Sequence, residues 1–151
     1  MKKRILKSEE KELLLKDLCA RLPHHCQVFY EYVDDLDNKT YGYSLTLNTW
    51  CIDEFDADKA VVKPYLRPLS SMTVEEREEV EVLIFGEWFA QDSGKVDSEG
   101  WIEILANYDV SGIDPGFCSD YVDWLVSHHF DFRGLIPAGL ALKAKEGMYD
   151  Y

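Results

Sequence analysis

The stretch Thr40–Trp50 alternates with the period of a half-buried strand: Tyr41, Tyr43, Leu45 and Leu47 fall on one face and Thr40, Ser44, Thr46 and Asn48 on the other. Cys26–Val33, just before it, is rich in aromatic and β-branched residues, which suit a pleated surface. Between them Asp34-Asp35-Leu36-Asp37-Asn38-Lys39 is polar and of hairpin length, slightly long for a tight turn. The two runs therefore predict a pair of antiparallel strands. Ala60–Leu66 is a third strand by the same criteria, and because Pro64 cannot donate to a ladder, that strand is expected at a sheet edge or to end there.

The remaining apolar residues repeat with helical spacing. Ser8 to about Leu22 carries Leu14, Leu18 and Leu22 every four residues, with Ser8 as a cap, Glu9 and Glu10 at the positive end of the dipole, and Pro23 as the stop. Thr73-Val74-Glu75-Glu76 is a capping box, in which the Thr73 hydroxyl accepts from the Glu76 amide and the Glu76 carboxylate reaches back to the Thr73 amide. The helix it starts is expected to reach about Ala90, burying Val80, Leu83, Ile84 and Trp88 and turning its acidic residues to water. Gln91–Lys95 is a loop, and Trp101–Leu105 a short strand or extended segment. Asp114-Pro115 opens a further helix with Phe117, Tyr121, Trp124, Leu125 and His128 on one face, ending near Asp131. Phe132–Leu142, with Gly134, Pro137 and Gly139, is an ordered loop because its apolar residues are costly to leave in water. The expected fold is α+β: a small antiparallel sheet with about three helices in a single domain, residues 1–151.

A chain of 151 residues, 46% hydrophobic and 30% charged, has the composition of a folded domain. At that length roughly 68–70% of the unfolded surface is buried. No apolar run approaches the roughly 20 residues of a membrane span. The basic start Met1–Lys7 is followed by the charged Lys7–Glu12 where a signal peptide's apolar region belongs, so secretion is not expected. The net charge of −13, from 16 basic and 29 acidic residues, disfavours direct nucleic-acid binding. Glu75 to Asp131 holds 15 acidic and 2 basic residues, Arg77 and Lys95, and the rest of the chain holds 14 of each, so the whole imbalance lies in one segment. Such a segment is either a solubilising face or a surface that docks on a basic partner.

The motifs of common chemistries are absent. Cys19, Cys26, Cys51 and Cys118 form no C-x-x-C pair, and the spacing of Cys19, His24, His25 and Cys26, or of Cys118, His128 and His129, matches no ordinary zinc site, so the cysteines are expected in the core and no metal is expected. The acidic loops Asp34–Lys39 and Asp53–Asp58 fail the calcium pattern: Lys39 stands where a ligand is needed in the first, and Arg67 where the bidentate glutamate belongs in the second. No glycine-rich phosphate loop, G-x-S-x-G or H-E-x-x-H occurs, and no cofactor is expected. The one grouping with catalytic chemistry is His128-His129-Phe130-Asp131-Phe132-Arg133-Gly134, where His128 offers a general base oriented by Asp131, and Arg133 an anion clamp. The structural alternative buries His128 on its helix face, sets His129 at the helix C-terminus and pairs Asp131 with Arg133 to pin the tail. Tyr30, Tyr32, Tyr41 and Tyr43 on neighbouring strands form either an aromatic packing surface or a binding platform.

Lys63-Pro64-Tyr65-Leu66-Arg67-Pro68-Leu69-Ser70-Ser71-Met72-Thr73 with its acidic helix, His128 to Ile136 with Gly139-Leu140-Ala141-Leu142, and Leu18-Cys19-Ala20-Arg21-Leu22-Pro23 resemble signature stretches of a group of uncharacterised proteins from gut bacteria and their phages. The resemblance covers most of the chain and implies a setting, the bacterial cytoplasm during phage infection, without assigning site residues. The expected function is a non-enzymatic accessory or binding protein of phage or mobile-element origin. It would contact a basic host or phage protein through an acidic surface that includes Glu75, Glu78 and Glu79. The alternative is a small-molecule or enzyme site around His128, Asp131 and Arg133.

Overall fold

The computed structural model describes residues 6–80 and 122–149. The fold is α+β, and the contacts of the chain gather in two compact units, residues 1–66 with 133–151 and residues 67–132. Expectations that fall on Leu83, Ile84, Trp88, Gln91–Lys95, Trp101–Leu105, Asp114–Tyr121 and Cys118 lie outside the described residues.

In the first unit, helix α1 spans Ser8–Arg21 and a turn of 3-10 helix, Leu22–His24, begins at Pro23's neighbour, so the proline stops the α-helix as expected. The cap is Lys7 rather than Ser8: Glu10, in the first turn, accepts from the Lys7 amide at 3.1 Å. Leu14 and Leu18 are fully buried, and so are Asp17 and Arg21, which share their stripe at helical spacing. Cys19 faces solvent on the other side, a correction to its assignment to the core, whereas Cys26 and Cys51 are buried.

Strands β1 (Gln27–Val33) and β2 (Thr40–Thr46) pair antiparallel from Gln27↔Thr46 to Val33↔Thr40. Their connection closes itself: the Asp34 amide donates to the Lys39 carbonyl at 2.9 Å, Asp34 and Asp37 carboxylates accept from the Leu36 and Lys39 amides, and Asn38 takes the left-handed φ of 55°. The alternation ends earlier than the sequence suggests. Asn48 accepts from the Cys51 amide at 3.0 Å and starts helix α2, Thr49–Asp56, whose Cys51 and Phe55 turn into the core one helical turn apart. The last two residues of the expected strand, Thr49 and Trp50, and most of the expected acidic loop from Asp53 are therefore this helix.

Strand β3, Ala60–Pro68, runs straight through Pro64 and pairs with β1 from Tyr32↔Ala60 to Val28↔Pro64. The expectation of an edge strand fails for a reason visible in the register. Leu47 donates to the Cys26 carbonyl, so in alternation Val28, Tyr30 and Tyr32 turn their backbone polar groups to β2 and the odd positions turn theirs to β3. Pro64 opposite Val28 thus stands at a non-bonded pair and owes β1 no N–H. One step further, where Gln27 faces Tyr65, the Tyr149 hydroxyl stands between the strands: it accepts from the Gln27 amide at 2.9 Å and donates to the Tyr65 carbonyl at 2.8 Å. Strand β4 is Phe130–Asp131 and β5 is Leu142–Lys143. Within the first unit β5 adds to β3 in parallel at Tyr65↔Leu142, which makes the sheet mixed. Leu135, Leu140 and Ala141 of the tail join the core of Leu14, Leu18, Val28 and Val62, as an ordered apolar tail should.

In the second unit, Arg67 and Pro68 at the end of β3 pair in parallel with β4. The capping box forms as read: the Glu76 amide donates to the Thr73 hydroxyl at 3.1 Å and the Thr73 amide to the Glu76 carboxylate at 3.0 Å. Helical residues 74–80 follow. Helical residues 122–127 end before the expected Asp131, because His129 takes a left-handed φ of 64° and sends the chain into β4. Met72, Val80, Trp124, Leu125 and Phe130 form this unit's core.

Candidate functional site

Three groups of side chains carry chemistry. On helical residues 74–80, Glu75, Glu78 and Glu79 are exposed, while Glu76 departs from its expected place facing water and is buried. Arg67 explains the difference. Its guanidinium meets the Glu76 carboxylate with both ends, at 2.6 and 2.7 Å, donates to the His128 carbonyl at 3.2 Å and lies 4.2 Å above the Phe130 ring. Burial alone raises the pKa of Glu76, but the hydrogen bonds from Arg67 and from Thr73 outweigh it and hold the carboxyl below the usual glutamate value. Val74, 54% exposed, adds an apolar contact beside the three outward carboxylates.

The residues of the 128–133 stretch divide between the units, His128 and Asp131 in the second and Arg133 in the first. The His128 ring stacks on Trp124 with centroids 4.0 Å apart, and its Nδ1 lies 2.9 Å from the Trp124 carbonyl oxygen. A carbonyl only accepts, so Nδ1 carries the proton and the ring is oriented by backbone. His128 is half-buried and His129 is buried, the reverse of the order expected from the helix face. Asp131 is buried on β4 opposite Pro68. Arg133 does pin the tail, through Asp17 of α1: its Nε donates to Asp17 Oδ1 at 3.0 Å, and Arg21 Nε donates to Asp17 Oδ2 at 2.7 Å. Asp17 and Arg21 belong to no motif in the sequence, although their place on the Leu14–Leu18 stripe marks them as buried charges.

The third group is an aromatic row with a cleft at its end. Tyr30 contacts Tyr32, Tyr43 and Trp50 with centroids 5.6, 5.5 and 4.8 Å apart, and Tyr32 stacks on Tyr41 at 5.9 Å. Tyr30 and Tyr32 also line a cleft of about 470 Å³ at the end of the sheet, together with Glu31, Asp35, Glu54 and Lys59. Side chains alternate along β1, so the cleft wraps the strand end, taking the tyrosines from one face and Glu31 from the other. Burial, and after it the Glu54 carboxylate, raises the Tyr30 phenol above its ordinary value. The tyrosine row is legible from strand alternation; the carboxylates are not, because Glu54 reaches the cleft only by way of helix α2.

No family model, curated protein or solved structure matches the chain.

Proposed function

We propose that this chain is a non-enzymatic accessory protein of phage or mobile-element origin that binds a basic protein through an acidic contact surface including Glu75, Glu78 and Glu79. What supports the reading most is how four neighbouring glutamates are used. Glu76 is withdrawn to the capping box and to Arg67, while its three neighbours stay outside with Val74 beside them. A carboxylate spent on folding is thereby separated from carboxylates left for a partner. Charges at the rim of such a contact act mainly on the rate of encounter and are screened by salt. The bacterial cytoplasm during infection is the setting that the resemblance of the Lys63–Thr73 and His128–Ile136 stretches suggests.

The test is affinity capture from the expressing bacterium at low and high salt, with the wild-type chain and with E75K/E78K/E79K, confirmed folded by circular dichroism. A protein captured by the wild type at low salt and lost by both the variant and added salt is the expected result. Capture unchanged in the folded variant removes these glutamates from the mechanism.

A further inference from the structure

We infer that the cleft at the end of β1 is a binding site for an aliphatic ammonium ion, a di- or triamine or the lysine side chains of a peptide. It is distinct from the acidic helix surface and does not depend on it. The tyrosines supply the first reason. Tyr30 lines the cleft, and although the residue is only 3% exposed its hydroxyl reaches solvent and has no hydrogen-bond partner among the described residues. A phenol oxygen within reach of solvent is left open to water or to a ligand that supplies a hydrogen bond. An ammonium N–H does so, and the faces of Tyr30 and Tyr32 add cation–π attraction.

Charge selects the sign of the ligand. Glu31, Asp35 and Glu54 line the cleft and no described cation pairs with them, whereas Asp58, also at its rim, is already bound to Lys11 at 3.0 Å. Lys59 is the cation that the cleft itself carries against these carboxylates. The distribution of the carboxylates then selects the kind of cation. Among the described residues no three His, Cys, Asp or Glu side chains converge on a point where a metal ion could sit. The carboxylates instead share the cleft with aromatic and aliphatic lining from Tyr30, Tyr32, Val33 and Val61. That pattern fits charges separated by methylene chain, which buries its CH₂ groups on the wall while each ammonium meets a carboxylate. A volume of about 470 Å³ lies in the range of small-ligand sites, roughly 300–1,000 Å³.

The experiment is an NMR titration of the full chain with spermidine, with cadaverine and with an acetylated Gly-Lys-Lys-Gly amide. The controls are 1,5-pentanediol and Mg²⁺ at matched ionic strength, since a chain of charge −13 attracts any cation weakly. Saturable shifts of Tyr30 and Tyr32 ring signals with the amines, absent with the diol and Mg²⁺, are expected. Glu54→Gln and Tyr32→Leu, each verified to melt as a folded protein, should raise Kd roughly fivefold or more. The variant E75Q/E78Q/E79Q should leave Kd unchanged. Binding of the peptide but of neither free amine would keep the site and assign its ligand to a protein's lysines; binding of the free amines alone would assign it to a small polyamine. Equal shifts by Mg²⁺, wild-type affinity in folded Glu54→Gln, or an equal loss in the helix-face variant would overturn the assignment.

Discussion

Single side chains complete the backbone at two points. The Tyr149 hydroxyl occupies the place of a ladder bond between Gln27 and Tyr65, so Tyr149→Phe leaves a part-buried amide and carbonyl facing each other across a gap. A loss of about 1–3 kcal/mol in urea unfolding is expected, with faster exchange of the Gln27 amide. An unfolding midpoint and exchange rate like the wild type's would mean that the strands close up without the bridge. Glu76 does two jobs, capping its own helix and neutralising half-buried Arg67. Glu76→Gln should cost about 3 kcal/mol near neutrality, because the largely desolvated Arg67 guanidinium loses its two-pronged carboxylate contact and the helix its charged cap. The sign with pH follows from the lowered carboxyl: the contribution is present above the unfolded value of 4.5 and is lost as pH falls through the lower folded value. Wild type and Glu76→Gln should therefore converge in stability between pH 5 and the acid limit, and a constant gap across that window would contradict the pairing. The Thr73–Glu76 half of this arrangement was legible in the sequence as three-residue spacing. The Arg67 half was not, because no local pattern tells which distant cation a carboxylate will meet.

Among the elements, helix α1 is instructive because its buried stripe mixes Leu14 and Leu18 with Asp17 and Arg21. Leucines every four residues predict the helix, and they also predict which polar residues must go inside with them. The cost of burying Asp17 is offset by two guanidiniums, from Arg21 one turn on and from Arg133 of the tail, 116 positions away. Asp17→Asn should destabilise the first unit by about 3–5 kcal/mol, since buried Arg21 and half-buried Arg133 lose the anion they share. Arg133→Ala should cost less, because Arg21 still neutralises Asp17. A thermal unfolding series in which Arg133→Ala proves the more damaging would reverse this ranking. Helix α2 departs from the expected strand and loop for a physical reason. Thr49-Trp50-Cys51-Ile52 suits a strand by intrinsic preference, and the decision falls to Asn48, whose side chain caps the helix, and to Cys51 and Phe55, which reach the core only in helical geometry.

For the whole molecule, charge is the dominant bulk property. All of the −13 arises between Glu75 and Asp131, and crowding like charges in one stretch opposes the compact state. Raising sodium chloride from 0.05 to 0.5 M screens this repulsion and should raise Tm by a few degrees, roughly what 1 kcal/mol produces in a chain of this size. A falling Tm over that range would show that salt-sensitive ion pairs outweigh the repulsion. Local rules written in the sequence were enough for the hairpin, for α1 up to Pro23, for the Thr73 capping box and for the buried tail, because periodicity, caps and proline act within a few residues of where they stand. Three outcomes required the assembled chain. Pro64 lies inside the sheet because the register of β1 turns its missing N–H away from a ladder bond. Arg133 reaches Asp17, and Glu54 comes beside Tyr30, because the path of the backbone brings together groups whose separation in sequence carries no signal. Each depends on long-range register and burial, which emerge only when every element competes for the same core.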